Sequence, residues 1–307
     1  MTPPMLVLRT LLHLALLAAM PPLLVGIVNR TKARFAGRAG PPLLQPYFDL
    51  AKLLRKGAVY SRTTSWVFRA GPVVGLAATL AAGLLLGMGG APSAISFAGD
   101  FILFAYLLGL ARFVTALAAL DTGSSFEGMG AAREVTFASL AEPALFLCLL
   151  VLARATGTLS LAGMLGPGLG AAGAQAAPAL LLAAIGVFVI ALAENARIPV
   201  DDPNTHLELT MIHEVMVLDH GGPDLAFIEY GAAVKLFLFG AILSRIVVGP
   251  PAGALATEAL FLVGLVLFAI GVGVVESVMA RLRMVRVPQL LVGASVLSVF
   301  ALVLLLR

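Results

Sequence analysis

Eight long apolar runs constrain this chain more than any other feature of its sequence. The runs lie near residues 5–28, 70–89, 100–120, 135–153, 178–196, 226–248, 256–279 and 287–306. Because a helix rises about 1.5 Å per residue, about 20 apolar residues cross the ~30 Å hydrocarbon core of a bilayer. The sequence therefore predicts an all-α, polytopic integral membrane protein with about eight transmembrane helices and a single membrane domain over residues 1–307.

The composition excludes the other broad classes. Only 12% of the residues are charged and 60% are hydrophobic, whereas a soluble domain carries about 25% charged residues. The chain lacks the polar sequence that a soluble enzyme or a disordered protein needs. Its one cysteine, Cys148, also excludes a disulfide within the chain, and hence a secreted disulfide scaffold.

The distribution of basic residues predicts the orientation. Lys and Arg concentrate in the first loop, residues 29–69, and recur in the third, fifth and seventh loops, whereas the other side carries only Arg9, Arg154, Arg245 and Arg307. Basic loops stay in the cytoplasm. We therefore expect both termini outside. The first run is a retained helix, because most of its basic flank follows it, unlike that of a signal peptide.

The first loop contains an amphipathic segment. Leu43, Tyr47, Leu50 and Leu53 recur at helical spacing, and charged residues occupy the other face. Pro46 suits a first helical turn. The pattern predicts an amphipathic helix in the headgroup plane, which serves either as a membrane anchor or as a platform for a cytoplasmic partner.

Ionisable residues inside the apolar runs are the main candidates for chemistry. A charge at the membrane centre costs at least ~2.5–3.5 kcal/mol on insertion scales, so each needs a partner, water or a purpose. The candidates are Arg112, Glu134, Glu142, Glu194, Glu229, Lys235 and Glu276. Glu134 and Glu142 are eight residues apart and share roughly one helix face. Glu194 and Arg197 have the i, i+3 spacing of a pair on one helix. Such groups form either a proton path or static ion pairs.

The fifth loop, residues 197–225, is acidic. Pro203 follows the N-cap candidate Asp202, which predicts a short helix running to about Asp219. The negative loop and the basic first loop indicate either mutual packing or a docking surface. The histidines at 206, 213 and 220 recur every seven residues, about 10.5 Å apart along a helix, which is too far for one metal ion. No metal site is therefore predicted.

Three stretches carry a resemblance to a known family: residues 40–46, residues 121–134 and residues 194–214, together with Glu229-Tyr230 and Glu276 to Arg281. On these residues the chain resembles the eight-helix membrane subunit shared by respiratory complex I and the membrane-bound [NiFe] hydrogenases. Residues 199–214 resemble the corresponding sequence of the hydrogenase-4 and formate hydrogenlyase branch of this family. Complex I members typically have a different sequence at this place.

The resemblance implies a non-catalytic coupling subunit of an oxidoreductase complex in the cell membrane of a prokaryote. It would link a cytoplasmic electron-transfer arm, made of hydrogenase-like large and small subunits and iron–sulfur subunits, to antiporter-like proton- or ion-translocating membrane subunits. The iron–sulfur clusters and the [NiFe] centre would belong to those partners, with no cofactor in this chain and no nucleic acid involved. The residues implied to face the arm are Asp201, Asp202, Glu208, His213 and Glu214. Those implied in the relay are Glu134, Glu142, Glu194 and Glu229, to which the burial argument adds Arg112 and Lys235.

Three other functions stay open at this point. A quinone-reducing complex I homologue would use the same scaffold to line a quinone site. A stand-alone ion transporter is disfavoured by the missing internal repeat and by loops that look built for a partner. A purely structural anchor would use the intramembrane charges as static ion pairs.

Overall fold

The computed structural model describes residues 3–89, 93–201, 211–248 and 254–306, and these residues form helices without a β-strand. Eight of the helices are long and apolar enough to cross a membrane, which confirms the predicted class. The long helices are α1 (Pro3–Phe35), α3 (Trp66–Leu85), α4 (Asp100–Asp121), α5 (Ser125–Thr156), α8 (Ala177–Glu194), α9 (Gly222–Val248), α10 (Ala254–Val278) and α11 (Val287–Leu304). Three shorter helices are α2 (Gln45–Leu54), α6 (Leu161–Met164) and α7 (Pro167–Ala171).

The helix α5 is longer than the apolar run that predicted it. It begins at Ser125, about ten residues before the apolar run, after a turn in which Gly123 takes a positive φ of 71°. Its 32 residues measure about 48 Å, which exceeds the ~30 Å hydrocarbon core. The extra turns carry Glu127, Arg133 and Glu134, so this single helix joins a loop region to the membrane interior.

The amphipathic helix predicted in the first loop is present as α2. Pro46 lies in its first turn, as expected. The helix packs against α1 and α9, and the Tyr47 hydroxyl donates a hydrogen bond to the Ala19 carbonyl oxygen. Gly26 on α1 lets the backbone just before α2 lie close to α1, because a Cβ at Gly26 would overlap the carbonyl oxygen of Leu43. Its place in the headgroup plane stays a prediction.

The centre of the bundle is α9, the most buried of the long helices, which packs against α1, α3, α8 and α10. Phe237 and Phe239 are fully buried there. The connector between α5 and α8 folds back into the same core through Leu161 and Met164. Arg245 holds this connector from α9, since its Nε donates to the Leu165 carbonyl oxygen at 2.7 Å.

The fifth loop departs from the helix predicted over residues 202–219. Residues 202–210 lie outside the described residues, and the part that follows forms only a short 3₁₀ helix, Glu214–Val217. The reason lies in the backbone amides of Ile212 and His213, which both donate to the Asp201 carboxylate at 3.0 Å. Those donors bind a side chain from the start of the loop, which closes the loop on itself.

Candidate functional site

Arg112 on α4 gathers three carboxylates inside the bundle. Its Nη2 lies 2.6 Å from both oxygens of Glu194, and its Nη1 lies 2.8 Å from Oε1 of Glu142. Its Nε lies 3.3 Å from Oε1 of Glu134. The planar guanidinium offers five N–H donors in a fixed fork, so a single arginine can bind several carboxylates at once.

The carboxylates come from two helices, and a second cation comes from a third. Glu134 and Glu142 both contact Arg112 from α5, which confirms that they share a face. Glu194 is the last residue of α8, and the Nζ atom of Lys235 on α9 lies 4.0 Å from its Oε2. We call Arg112, Glu134, Glu142, Glu194 and Lys235 the Arg112 cluster. It holds three carboxylates and two cations.

The members of the Arg112 cluster differ sharply in exposure. The Glu194 side chain is 3% exposed and that of Arg112 is 6% exposed. The Glu142 side chain, by contrast, is 45% exposed. Glu194 therefore depends on Arg112 and Lys235 for its charge balance, whereas Glu142 presents its carboxylate to whatever covers this face of the bundle.

Two small cavities flank Arg112. The first, of about 20 Å³, is lined by Arg112, Glu134, Glu194 and Asp201 among others. The second, of about 40 Å³, is lined by Arg112, Lys235, His213 and the hydroxyl-bearing Thr79 and Thr115. A polar cavity of 10–15 Å³ can hold a water molecule. Each cavity therefore has room for water beside the ionisable groups, on the side that leads to the fifth loop.

The expected pair between Glu194 and Arg197 is wrong. The helix α8 ends at Glu194, and Ala196 has a positive φ of 49°, so the i, i+3 geometry of a helix does not extend to Arg197. The Arg197 Nη1 atom lies instead 3.3 Å from Oε1 of Glu276. The Lys32 Nζ atom lies 2.8 Å from the other oxygen of that fully buried side chain. Glu276 thus belongs to a separate ion-pair group at the ends of α1 and α10.

Glu229 is not brought into the Arg112 cluster. It lies on an exposed part of α9, and the charged groups that act on it are Glu214 and Asp49. It is six residues before Lys235, and at 100° per residue it points to a different side of α9. This carboxylate therefore lies apart from the Arg112 cluster, on the side of α9 that faces the charges of Glu214 and Asp49.

Asp201 lies inside the protein, next to the first cavity. It is 1% exposed, and its Oδ1 atom lies 2.8 Å from Nη2 of Arg281 in the last connector. Its Oδ2 atom accepts the amides that close the fifth loop. The Asp201 carboxylate therefore connects the start of the fifth loop to its middle and to the last connector, and it also lines the cavity that Glu134 and Glu194 line.

His213 lies beside the second cavity, next to the Arg112 cluster. Burial, followed by the positive charge of Lys235, lowers the pKa of His213 to about 4, so its imidazole is neutral at pH 7. The remaining candidates of the fifth loop are Glu214, Asp202 and Glu208. Glu214 begins the 3₁₀ helix, whereas Asp202 and Glu208 lie outside the described residues.

Sequence reasoning missed three side chains that hold the fifth loop. The Arg133 Nη1 atom donates to the Met211 carbonyl oxygen at 2.8 Å, Glu127 accepts the Asp219 amide at 3.1 Å, and Arg281 pairs with Asp201. Their only signal was charge close to the end of an apolar run. No group of metal-ligating side chains occurs in the described part of the chain.

Known proteins resemble this chain over nearly its full length. A family model described as NADH dehydrogenase matches residues 8–306. The chain belongs to the NADH dehydrogenase family. The chain is also similar to formate hydrogenlyase subunit 4 of Escherichia coli (strain K12), which is 31% identical over 92% of this chain and 94% of that protein. Hydrogenase-4 component C of the same organism is 34% identical over 75% of this chain and 71% of that protein.

The fold of this NADH dehydrogenase family member also matches a solved structure. A chain in the structure of the membrane-bound sulfane sulfur reductase, an archaeal respiratory membrane complex, superposes with a TM-score of 0.81. The match covers 98% of this chain and 99% of that chain at 23% sequence identity. The eight apolar helices and these relatives make the chain a multi-pass membrane protein.

Proposed function

We propose that this chain is a membrane subunit of a hydrogenase- or reductase-type respiratory complex, and that it couples electron transfer to ion movement. Its fifth loop would contact a cytoplasmic arm that carries the redox cofactors, and its membrane helices would contact ion-translocating subunits. The relatives named as formate hydrogenlyase, hydrogenase-4 and sulfane sulfur reductase components support the kind of assembly. The bacterial and archaeal sources of these relatives support a prokaryotic cell membrane, and the basic loops support an orientation with both termini outside.

The observation that carries the proposal is the Arg112 cluster. A proton path needs groups that take up and release protons, water between those groups, and a link to electron transfer. The three carboxylates of the cluster can take up and release protons, and the two cavities have room for water. Asp201 supplies the link, because it closes the fifth loop and also lines the cavity beside Glu134 and Glu194.

The depth of Glu142 supports transfer within the membrane. It lies about 26 Å from the start of α5 and about 21 Å from its end, at 1.5 Å per residue. Any continuous ~30 Å portion of this helix includes Glu142. A carboxylate that is nearly half exposed at that depth is strongly disfavoured in lipid. A neighbouring subunit with a polar group would provide the next step.

The proposed mechanism follows from charge. Movement of the fifth loop would move the Asp201 carboxylate relative to Glu134 and Glu194, and so change the field in the first cavity. A closer negative charge favours the protonated form of a carboxyl group. Proton uptake by Glu134 or Glu194 would weaken its hold on Arg112. That proton would then pass to Glu142 and from Glu142 to the neighbour, which leaves the carboxylates ionised again and restores their contacts with Arg112.

The test is Glu142→Gln in the whole complex, reconstituted in sealed vesicles. Hydrogen-dependent dye reduction should stay within about twofold, because the redox centres belong to other subunits. Proton translocation should fall by about 100-fold or more, the lower end of what a positioned proton-transfer group contributes. Glu134→Gln should act in the same way. Asp219→Asn is the matched control, because this carboxylate is exposed on the fifth loop, away from the cluster.

Glu229→Gln tests whether the relay extends to this second carboxylate on α9, outside the Arg112 cluster. Loss of translocation in this variant would add Glu229 to the relay. Unchanged translocation in both Glu142→Gln and Glu134→Gln would refute the proposed function. Loss of complex assembly in both would support a structural anchor, and quinone-dependent activity without hydrogen activity would support a quinone-reducing homologue.

A further inference from the structure

A wide cleft opens where α1 and α10 end. Its volume is about 690 Å³. The cleft is lined by Lys32, Ala33, Phe35, Ala36, Arg38, Gly40, Pro41, Glu276 and Ser277. The apolar run of α1 ends near residue 28, about 6 Å before Lys32 at 1.5 Å per residue, and that of α10 ends near residue 279. The cleft therefore lies at the level where the two helices leave the hydrocarbon core and meet lipid headgroups.

Lys32 has hydrogen-bond donors to spare in this cleft. Its ammonium carries three N–H donors, and its Nζ lies 2.8 Å from Oε2 of Glu276. The Glu276 side chain is fully buried, whereas that of Lys32 is 23% exposed. The contact with Glu276 thus holds the ammonium in place and leaves donors directed towards the cleft.

The charge of the cleft is positive. Among the described residues, Glu276 is the one carboxylate of the lining, and it contacts Lys32 in the lining and Arg197 outside it. Arg38 is an exposed member of the lining. The lining itself has one excess positive charge, and Arg197 behind Glu276 adds a second, which favours an anionic ligand and disfavours a cation.

The carbonyl groups at the end of α1 are partly satisfied by the residues that follow, so the cations of the cleft outweigh the partial negative charge of the helix end. The Ala36 amide donates to the Lys32 carbonyl oxygen at 3.0 Å, and the Arg38 amide donates to that of Ala33 at 2.8 Å. The chain turns back at this point, with Gly37 and Gly40 at positive φ. The turn places Arg38 and Pro41 opposite the last turn of α1.

The borders of the cleft are apolar and exposed. Phe35 is 57% exposed at its edge, and exposed apolar side chains continue along α10 at Leu267 and Val278. An apolar surface that leads into the membrane from a basic cleft matches a molecule with a negative headgroup and acyl chains. A protein partner would need an acidic group here as well, and nothing in the cleft favours one.

We propose that this cleft binds the phosphate group of an anionic phospholipid, with Lys32 and Arg38 as its donors and the acyl chains along the outer faces of α1 and α10. The Arg112 cluster takes no part, and the fifth loop contributes only Arg197, which contacts Glu276 from outside the lining. The two proposed donors, Lys32 and Arg38, lie outside the coupling site, so the lipid site can be tested separately from the coupling function proposed above.

The test is native mass spectrometry of the delipidated full chain, titrated with phosphatidylglycerol and, in parallel, with phosphatidylcholine. We expect one tight phosphatidylglycerol site that phosphatidylcholine does not fill. Arg38→Gln should weaken it about fivefold, the factor that one basic residue near an anionic membrane surface contributes, and Lys32→Gln should add a similar factor. Arg38 is exposed, so Arg38→Gln tests the site without disturbing a buried ion pair.

The matched control removes the same charge from the same loop. Lys52→Gln and Arg55→Gln alter exposed cations of α2 and its C-cap, outside the cleft, and should leave the affinity nearly unchanged because exposed charges at a distance are screened. Equal weakening by these controls would overturn the site in favour of diffuse attraction. Displacement of the lipid by millimolar inorganic phosphate would also overturn it. So would a photo-crosslinker at Phe35 that labels a protein subunit in the intact complex.

Discussion

Replacing Arg112 with Met tests whether this residue neutralises the carboxylates of the cluster. The substitution keeps an unbranched apolar stem and removes the guanidinium that contacts Glu134, Glu142 and Glu194. Removing one partner of a buried ion pair costs about 3–5 kcal/mol, because it leaves an uncompensated buried charge. We therefore expect Arg112→Met to destabilise the folded chain by about that amount.

The contacts of Arg112 also indicate which carboxylate accounts for most of this loss of stability. Both 2.6 Å contacts of Arg112 go to Glu194, which is almost fully buried, whereas Glu142 is nearly half exposed and can be solvated. The double variant Arg112→Met/Glu194→Met should therefore recover about 2 kcal/mol or more, because a buried pair replaced by apolar side chains is often neutral. The matched double variant Arg112→Met/Glu142→Gln should recover little.

The chain contains its own probe for this measurement. Cys148 is its one cysteine, is fully buried and contacts the Ser298 hydroxyl at 3.0 Å. A thiol-reactive fluorophore will therefore report unfolding of the purified chain in detergent. In domains of 150–250 residues 1 kcal/mol shifts the midpoint by roughly 2–4 °C, so Arg112→Met should lower it by about 10 °C. An unchanged midpoint would refute the ion-pair argument, and a double variant no more stable than Arg112→Met would refute the leading role of Glu194.

Two further predictions use the same fluorescence measurement. Burial and Lys235 lower the pKa of His213 to about 4 in the folded chain, against 6.5 for an ordinary histidine. The unfolded chain then binds more protons between pH 6.5 and 4, so stability should fall as the pH is lowered through that window, and His213→Gln should lose that part of the decline. Gly26→Ala should destabilise the chain by about 1–3 kcal/mol, because its Cβ would overlap the Leu43 carbonyl oxygen, a rigid backbone atom. Gly57→Ala, which has open space around it, should be nearly neutral, and equal effects of the two would contradict the close contact.

The sequence predicted the parts of this protein that depend on local pattern. Eight apolar runs of about 20 residues predicted eight spanning helices, because the helical rise and the bilayer thickness leave little choice. The spacing of Leu43, Tyr47 and Leu50 predicted α2, and the eight-residue spacing of Glu134 and Glu142 placed them on one face. A helical period is a property of neighbouring residues, so it can be read along the chain.

Local pattern failed where a helix ended or where two distant segments met. Arg197 follows Glu194 at helical spacing, but the helix stops at Glu194 and Arg197 contacts Glu276 instead. The predicted helix after residue 201 failed in its described part, because Asp201 binds the amides of Ile212 and His213. Glu229, a relay candidate in the sequence, faces away from the Arg112 cluster.

The sequence by itself determined that this chain crosses a membrane eight times and that it carries ionisable groups at depths where lipid excludes them. Only the tertiary structure decided which of those groups meet. Arg112 and Glu194 are 82 positions apart, and the pairing of Lys32 with Glu276 spans most of the chain. Such pairs depend on how each helix is rotated about its axis, and that rotation is set by the packing of every face of α9 and its neighbours at once.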